Sequence, residues 1–179
     1  MKILGINIAS HDTSAALIVN GKLICAFEEE RFNKEKHTKA FPINAINECL
    51  KVARIRINSI NCIAVSTDPM RQIRKFWLEG ALKYDYRLKM MMEEKDSIQN
   101  FYNIENSIRK NLKYKNKIKY YRHHLNHLAS CFYPSNFKKA LVVSYDGVGE
   151  GETGYFSIGA NKKIKVIHKN NLFPNSLGL

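Results

Sequence analysis

The stretch Lys2-Ile3-Leu4-Gly5-Ile6-Asn7-Ile8-Ala9-Ser10-His11-Asp12-Thr13-Ser14-Ala15-Ala16-Leu17-Ile18-Val19-Asn20-Gly21-Lys22-Leu23-Ile24-Cys25-Ala26-Phe27-Glu28 decides the fold. Residues 2–9 are a short apolar run that reads as a buried strand. The polar stretch 10–14 breaks it, and residues 15–19 form a second strand. Asn20-Gly21 is a strong two-residue hairpin signal, because both residues tolerate positive φ. Residues 22–28 make a third strand, so the chain opens as a three-stranded meander.

Downstream, Pro42 starts a helix, where its missing N–H costs nothing. Ile43, Ile46, Leu50 and Ala53 fall on one face of that helix. A fourth strand centres on Cys62-Ile63-Ala64-Val65. Residues 70–113 are helical in pattern and poor in Gly and Pro. A fifth strand is expected at 118–122 and a helix at 123–132. From Ala140 the opening pattern returns: strand 140–145, Gly-rich polar break 146–152, strand 154–158, turn at Asn161-Lys162-Lys163, strand 164–168. The repeat rests on pattern, since the two copies share little identity. It predicts an α/β protein of two stacked β-β-β-α-β-α units, the second begun but not finished. Residues 1–138 would form the first subdomain, with a helical insertion at about 70–115, and residues 139–179 the start of the second. In such an arrangement the turns 10–14 and 146–152 confront one another across a cleft.

Composition sets the outer bounds. The 179 residues suffice for a real core. No apolar run reaches the roughly 18–20 residues that span a bilayer, and the start is too soon interrupted for a signal peptide. The cytoplasm is the expected compartment, and no membrane partner is expected. Cys25, Cys49, Cys62 and Cys131 lie far apart with no CxxC pairing and read as reduced, buried thiols. Net charge is +13. Between residues 70 and 122 there are 14 Lys/Arg against 6 Asp/Glu. Such an excess suits anionic partners. Without zinc-finger spacing or an aromatic ribonucleoprotein motif it reads as a solvated helical face, and a nucleic-acid partner is not expected.

Two clusters carry chemistry. His123 and His127 are four apart, which on a helix places both imidazoles on one face, close enough to share a metal ion. His124 is turned about 100° away. Asp146 ends an apolar strand and is followed by Gly147, so a sharp turn can expose its carboxylate. Two imidazoles and one carboxylate leave open coordination positions, which suit a catalytic iron, manganese or zinc. In the first turn, His11 is a candidate general base. Asp12, Thr13 and Ser14 are candidate phosphate or cofactor contacts through hydroxyls and backbone amides. Gly147, Gly149 and Glu150 are further candidate phosphate or cofactor contacts, in a stretch that resembles a Gly-rich phosphate loop but has neither Rossmann nor Walker spacing.

Four ordered motifs then resemble a known family. They are Gly5 through Leu17 with Phe27-Glu28-Glu29-Glu30-Arg31-Phe32, Lys36-His37 and Phe41-Pro42; His123-His124-Leu125-Asn126-His127-Leu128-Ala129-Ser130; Asp146-Gly147-Val148-Gly149-Glu150; and Pro174-Asn175-Ser176-Leu177-Gly178-Leu179. Together they resemble the N-terminal part of O-carbamoyltransferases of the nodulation and antibiotic-tailoring type. That resemblance implies an actin-like ATPase (ribonuclease H-like) lobe. It implies an activity that moves a carbamoyl group from carbamoyl phosphate, through a carbamoyl-adenylate made with ATP, to a hydroxyl of a small acceptor. On that template His123, His127 and Asp146 match metal ligands, for Fe2+ first and Mn2+ or Zn2+ as alternatives. His11 matches a residue near the transfer centre, and Thr13, Ser14, Gly147 and Gly149 lie near phosphate or adenylate. The family is several times longer, so a fragment inactive alone is expected, with the missing C-terminal lobes supplied by another chain as one possibility. The competing readings are a tRNA threonylcarbamoylation-type subunit and a non-enzymatic metal-binding remnant.

Overall fold

The computed structural model describes residues 1–171 and Ser176. Apart from Ser176, the segment 174–179 that contributed to the resemblance lies outside the described residues. The chain divides into two compact units: residues 1–70 with 92–120, and residues 71–91 with 121–179. This division differs from the boundary expected at residue 138. The helix at 123 packs on the second sheet, and residues 71–91 are tied to that same unit.

The first unit is built on a five-stranded sheet in the order β3-β2-β1-β4-β5. Strands β1 (Lys2–Asn7), β2 (Ser14–Val19) and β3 (Lys22–Glu28) form the expected antiparallel meander. Asn20 and Gly21 both take positive φ, 51° and 80°, as a two-residue primed turn requires. β4 (Cys62–Val65) and β5 (Lys117–Tyr120) add in parallel on the other side of β1. Between β3 and β4 lie a short α1 (Glu30–Asn33) and α2 (Ile43–Val52). α2 buries Ala45, Ile46 and Cys49 completely. Removing a side chain such as Ile46 from water stabilises by about 1.5–3 kcal/mol. The Cys49 thiol donates to the Ala15 carbonyl at 3.6 Å, so α2 covers the sheet face that carries Leu4, Ile6, Ala15 and Leu17. Burial and the neighbouring Cys25 push that thiol up to about 12, so it stays protonated. Of the four thiols expected to be buried only Cys49 is; Cys25 and Cys62 are half-buried and Cys131 is exposed.

The 70–113 region is helical as its pattern predicts, but broken. α3 (Pro69–Gln72) runs into a π-helical turn (Ile73–Leu78) and α4 (Glu79–Ala81), followed by α5 (Asp85–Glu93), α6 (Lys95–Tyr102) and α7 (Ile104–Leu112).

The second unit carries α8 (His123–Phe132) on an antiparallel sheet of β6 (Lys139–Gly149), β7 (Glu152–Ala160) and β8 (Lys163–Asn170). Its core is Leu128 and Phe132 of α8 against Val142 and Tyr155 of the sheet. The expected polar break at 146–152 is instead a bulged end of β6. Pairing with β7 stops after Tyr145↔Gly154 and resumes at Gly149↔Glu152. The face of this sheet opposite α8 shows Leu141 and Val143 to solvent. No described helix is long and apolar enough to cross a membrane.

The start of α2 depends on a residue far from it in sequence. Pro42 at the N-cap offers no side-chain acceptor. The buried Glu29 supplies one: Oε1 accepts from the Asn44 amide group at 2.7 Å and Oε2 from the Ala45 N–H at 2.9 Å. Glu29→Ala is therefore expected to destabilise the fold by about 2–3 kcal/mol in chemical denaturation, because it orphans the buried Ala45 N–H and the part-buried Asn44 amide group. A change below about 0.5 kcal/mol would contradict that role.

Candidate metal centre

α8 presents His123 and His127 one turn apart, with ring centroids separated by 4.6 Å and Nε2 atoms by 3.0 Å. Asp146 Oδ2 lies against His123 Nε2 and is 3.4 Å from His127 Nε2. One donor atom from each residue falls within 4.8 Å of the other two. The other carboxylate oxygen accepts the Gly147 N–H at 2.7 Å, which fixes the orientation of Asp146. The hydrogen bonds from His123 and then His127 hold the Asp146 carboxyl well below the usual carboxylate range. It is ionised throughout the working pH range. The donor set fits a divalent transition metal: imidazole and carboxylate suit Fe2+, Mn2+ and Zn2+ alike, and three protein ligands leave positions for a substrate.

Local sequence explains the convergence. The bulge in β6 takes Asp146 out of the regular ladder, and Gly149 lets α8 come close. A Cβ on Gly149 would lie 2.2 Å from the His123 ring. Glu150 and Gly151 then turn the chain with φ of 56° and 78°. Glu150 is buried. Its Oε1 accepts the backbone N–H of His123 at 3.1 Å, supplying the acceptor that Arg122, at the N-cap of α8, does not provide from its side chain. Its own N–H donates to Gln72 Oε1 at 2.6 Å, and Arg71 Nε lies 3.5 Å from Oε2.

Behind the centre is a buried polar network that the sequence reading did not single out. His124 accepts from the Ser144 hydroxyl at Nδ1 (2.7 Å) and donates from Nε2 to the Glu152 carbonyl (2.9 Å). Burial lowers its pKa, so it pins α8 to the sheet as a neutral imidazole. The Glu152 carboxylate receives Arg71 Nη2 at 2.9 Å, Lys169 Nζ at 3.5 Å and the Tyr155 hydroxyl. Burial opposes the charge on Glu152, but the Tyr155, Lys169 and Arg71 contacts outweigh it and hold the carboxyl below its ordinary value. Burial pushes the Tyr155 hydroxyl up to about 12. The one sequence signal was two acids flanking Gly151 at a hairpin, and it does not distinguish a buried pair from a solvated turn.

The other sequence candidates sit in the first unit. Asp12 bridges two imidazoles: Oδ2 is 2.6 Å from His11 Nδ1 and Oδ1 is 2.9 Å from His37 Nδ1. These hydrogen bonds, His11 first, lower the Asp12 carboxyl. Asp12, Glu30 and His37 also bring potential ligand atoms within 4.8 Å of one another. The Asn7 amide group donates to the carbonyls of His11 and Asp12 and fixes the turn. Thr13 is fully buried, its N–H directed to the Thr38 carbonyl at 3.4 Å and its carbonyl accepting from Glu29. Ser14 pairs with Asn7 and Glu28 at the strand ends.

Comparison with known proteins agrees with this architecture. Residues 2–179 match the family described as carbamoyltransferase N-terminus. An uncharacterized protein of Synechocystis sp. is 32% identical over 99% of this chain. The nodulation protein NolNO of Sinorhizobium fredii is 29% identical over 97% of it. The chain spans only 30% and 25% of those two relatives' lengths. Among solved structures, YeaZ from Pseudomonas aeruginosa aligns over 93% of this chain and 64% of its own, with a TM-score of 0.51 at 12% identity. That likeness, with the 3-2-1-4-5 strand order, shows the mixed α/β, actin-like fold.

Two outcomes follow from the packing. Gly149→Ala is expected to displace the His123 ring and lower metal affinity by about 10–100-fold, as loss of a supporting contact does. Gly5→Ala, where the nearest atom is Ala16 O at 3.7 Å, leaves affinity unchanged. Isothermal titration with Mn2+ or Zn2+ measures both, and equal affinities for the two variants would contradict the packing argument. Acid unfolding tests the network. A carboxyl depressed in the fold contributes stability that is present above its unfolded value, about 4.3, and is lost as pH falls through the folded value. Tyr155→Phe removes a donor to Glu152, raises that folded value and moves the acid-unfolding midpoint to higher pH. A midpoint unchanged or shifted lower would contradict it.

Proposed function

The chain belongs to the carbamoyltransferase N-terminus family, and we propose that it is the metal-binding part of an enzyme that carbamoylates a hydroxyl of a small acceptor. The carbamoyl group comes from carbamoyl phosphate by way of a carbamoyl-adenylate formed with ATP. The observation that carries this reading is the convergence of His123, His127 and Asp146 on one point. These three residues hold the divalent metal, Fe2+ first, with Mn2+ or Zn2+ the alternatives. When bound, it supplies a Lewis acid that neutralises phosphate charge as AMP leaves.

The chain's own groups do the rest. His11 takes the proton of the acceptor hydroxyl. The Asp12 carboxylate beside Nδ1 fixes the tautomer that leaves Nε2 as the base. Gly147 borders the adenylate beside the metal centre, Asp12 and Ser14 are phosphate contacts of the first unit, and the fully buried Thr13 acts by holding that turn. Gly149 and Glu150 act there through α8, by setting the position of His123. The remaining lobes, which the longer relatives carry, make the adenylate. The 179-residue chain given carbamoyl phosphate, ATP and an acceptor is therefore expected to give no product.

The test is equilibrium dialysis with radiolabelled, chemically prepared carbamoyl-adenylate. Binding is expected in the presence of Fe2+ or Mn2+, and is expected to be lost with chelator and in His123→Ala/His127→Ala. Binding that ignores both metal and the double substitution would contradict the proposal.

A further inference from the structure

Apart from the metal centre, the second unit holds a cavity of about 460 Å³. Small-molecule sites typically measure about 300–1,000 Å³. The helical stretch that opens with the π-helical turn forms much of its lining. Ile73 and Trp77 of that stretch are buried, while Lys75, Phe76, Glu79, Gly80 and Lys83, at helical spacing, line the cavity. The hairpin residues Glu150, Gly151 and Glu152 line it too.

Two glycines set its shape. A Cβ on Gly80 would lie 2.7 Å from Arg87 Nε, so glycine lets the buried guanidinium lie against the helix. A Cβ on Gly151, whose φ is 78°, would lie 3.2 Å from Lys75 Cβ, so glycine lets the hairpin close on that helix. Arg87 also donates to the Phe76 carbonyl and sits 4.8 Å over the centre of the Phe76 ring. Close packing therefore holds the walls in place.

Charge and ring faces select the ligand. Three carboxylates line the cavity, and each is engaged: Glu79 with Lys75 at 2.8 Å, Glu152 with Arg71 at 2.9 Å, and Glu150 with the N–H of His123. Lys83 is exposed and, among the described residues, is in no salt bridge, so its ammonium is available to an anion. Beside it, Tyr84 and Tyr86 stack with ring centroids 5.7 Å apart and 29° between their planes. They are 56% and 61% exposed, so their faces are open to a further ring.

We infer that this cavity binds a small ring compound carrying one carboxylate. The carboxylate meets the Lys83 ammonium, and the ring lies on the Tyr84 and Tyr86 faces. None of His123, His127 and Asp146 lines the cavity, so the site is separate from the metal centre and stands without the carbamoyl-transfer reading.

The experiment is isothermal titration of the 179-residue chain, stripped of metal, with two carboxylates and their neutral counterparts: benzoate with benzyl alcohol, and glucuronate with methyl glucoside. One carboxylate is expected to bind about 10-fold or more tightly than its neutral counterpart, which is what a charge-assisted hydrogen bond contributes. Which of the two binds tells whether the ring is aryl or sugar. Lys83→Glu should abolish the preference for the carboxylate. Tyr84→Ala/Tyr86→Ala should weaken the preferred probe by about 3–10-fold through lost stacking. All three side chains are exposed, so circular dichroism should stay that of the wild type. His123→Ala/His127→Ala should bind the probe as the wild type does. No binding of either carboxylate, equal binding of the neutral counterparts, or a preference that survives Lys83→Glu would overturn the proposal. So would loss of binding in the histidine variant, since the carboxylate would then belong to the metal centre.

Discussion

Everything at the centre depends on how closely α8 approaches β6. The His123 ring occupies the space that a side chain at 149 would fill, and only glycine leaves that space open. Once the helix sits at that distance, the i, i+4 spacing places His127 beside His123, and the bulge after Tyr145 delivers Asp146 to both. The three donors are preorganised by packing rather than by the ion they would hold. Such preorganisation favours a site that accepts substrate without rearranging.

The same approach explains why a protein of net charge +13 buries two carboxylates beside its candidate site. Glu150 accepts from the first amide of α8, and Glu152 gathers Arg71, Lys169 and Tyr155. A buried ion pair stabilises little by itself. Here it fixes direction: Arg71 and Gln72 lead the helical stretch 71–91 and reach the two glutamates of the hairpin. That linkage ties this stretch, which lies in sequence between β4 and β5, to the second unit.

Much of this was legible in the sequence. The opening meander followed from alternating apolar runs and from Asn20-Gly21, whose positive φ values a primed turn demands. The metal candidates followed from His-x-x-x-His and from Asp146 at the end of an apolar run. These signals are local, with periods of two or about four residues. What was not legible is long-range. Glu29 serves the N–H groups of a helix more than a dozen residues on, and His124 bonds to Ser144 and to the Glu152 carbonyl. Both look like ordinary surface residues until the partner element arrives. The division of the chain at 70, 91 and 120 was hidden for the same reason, since it depends on which sheet α8 packs against.

The most direct measurement is metal content of the purified chain by plasma mass spectrometry, beside His123→Ala/His127→Ala with its fold checked by circular dichroism. The account predicts close to one equivalent of a divalent transition metal in the wild type and none in the double variant. A well-folded wild type that takes up no metal, even when supplied with Fe2+, Mn2+ and Zn2+, would contradict it.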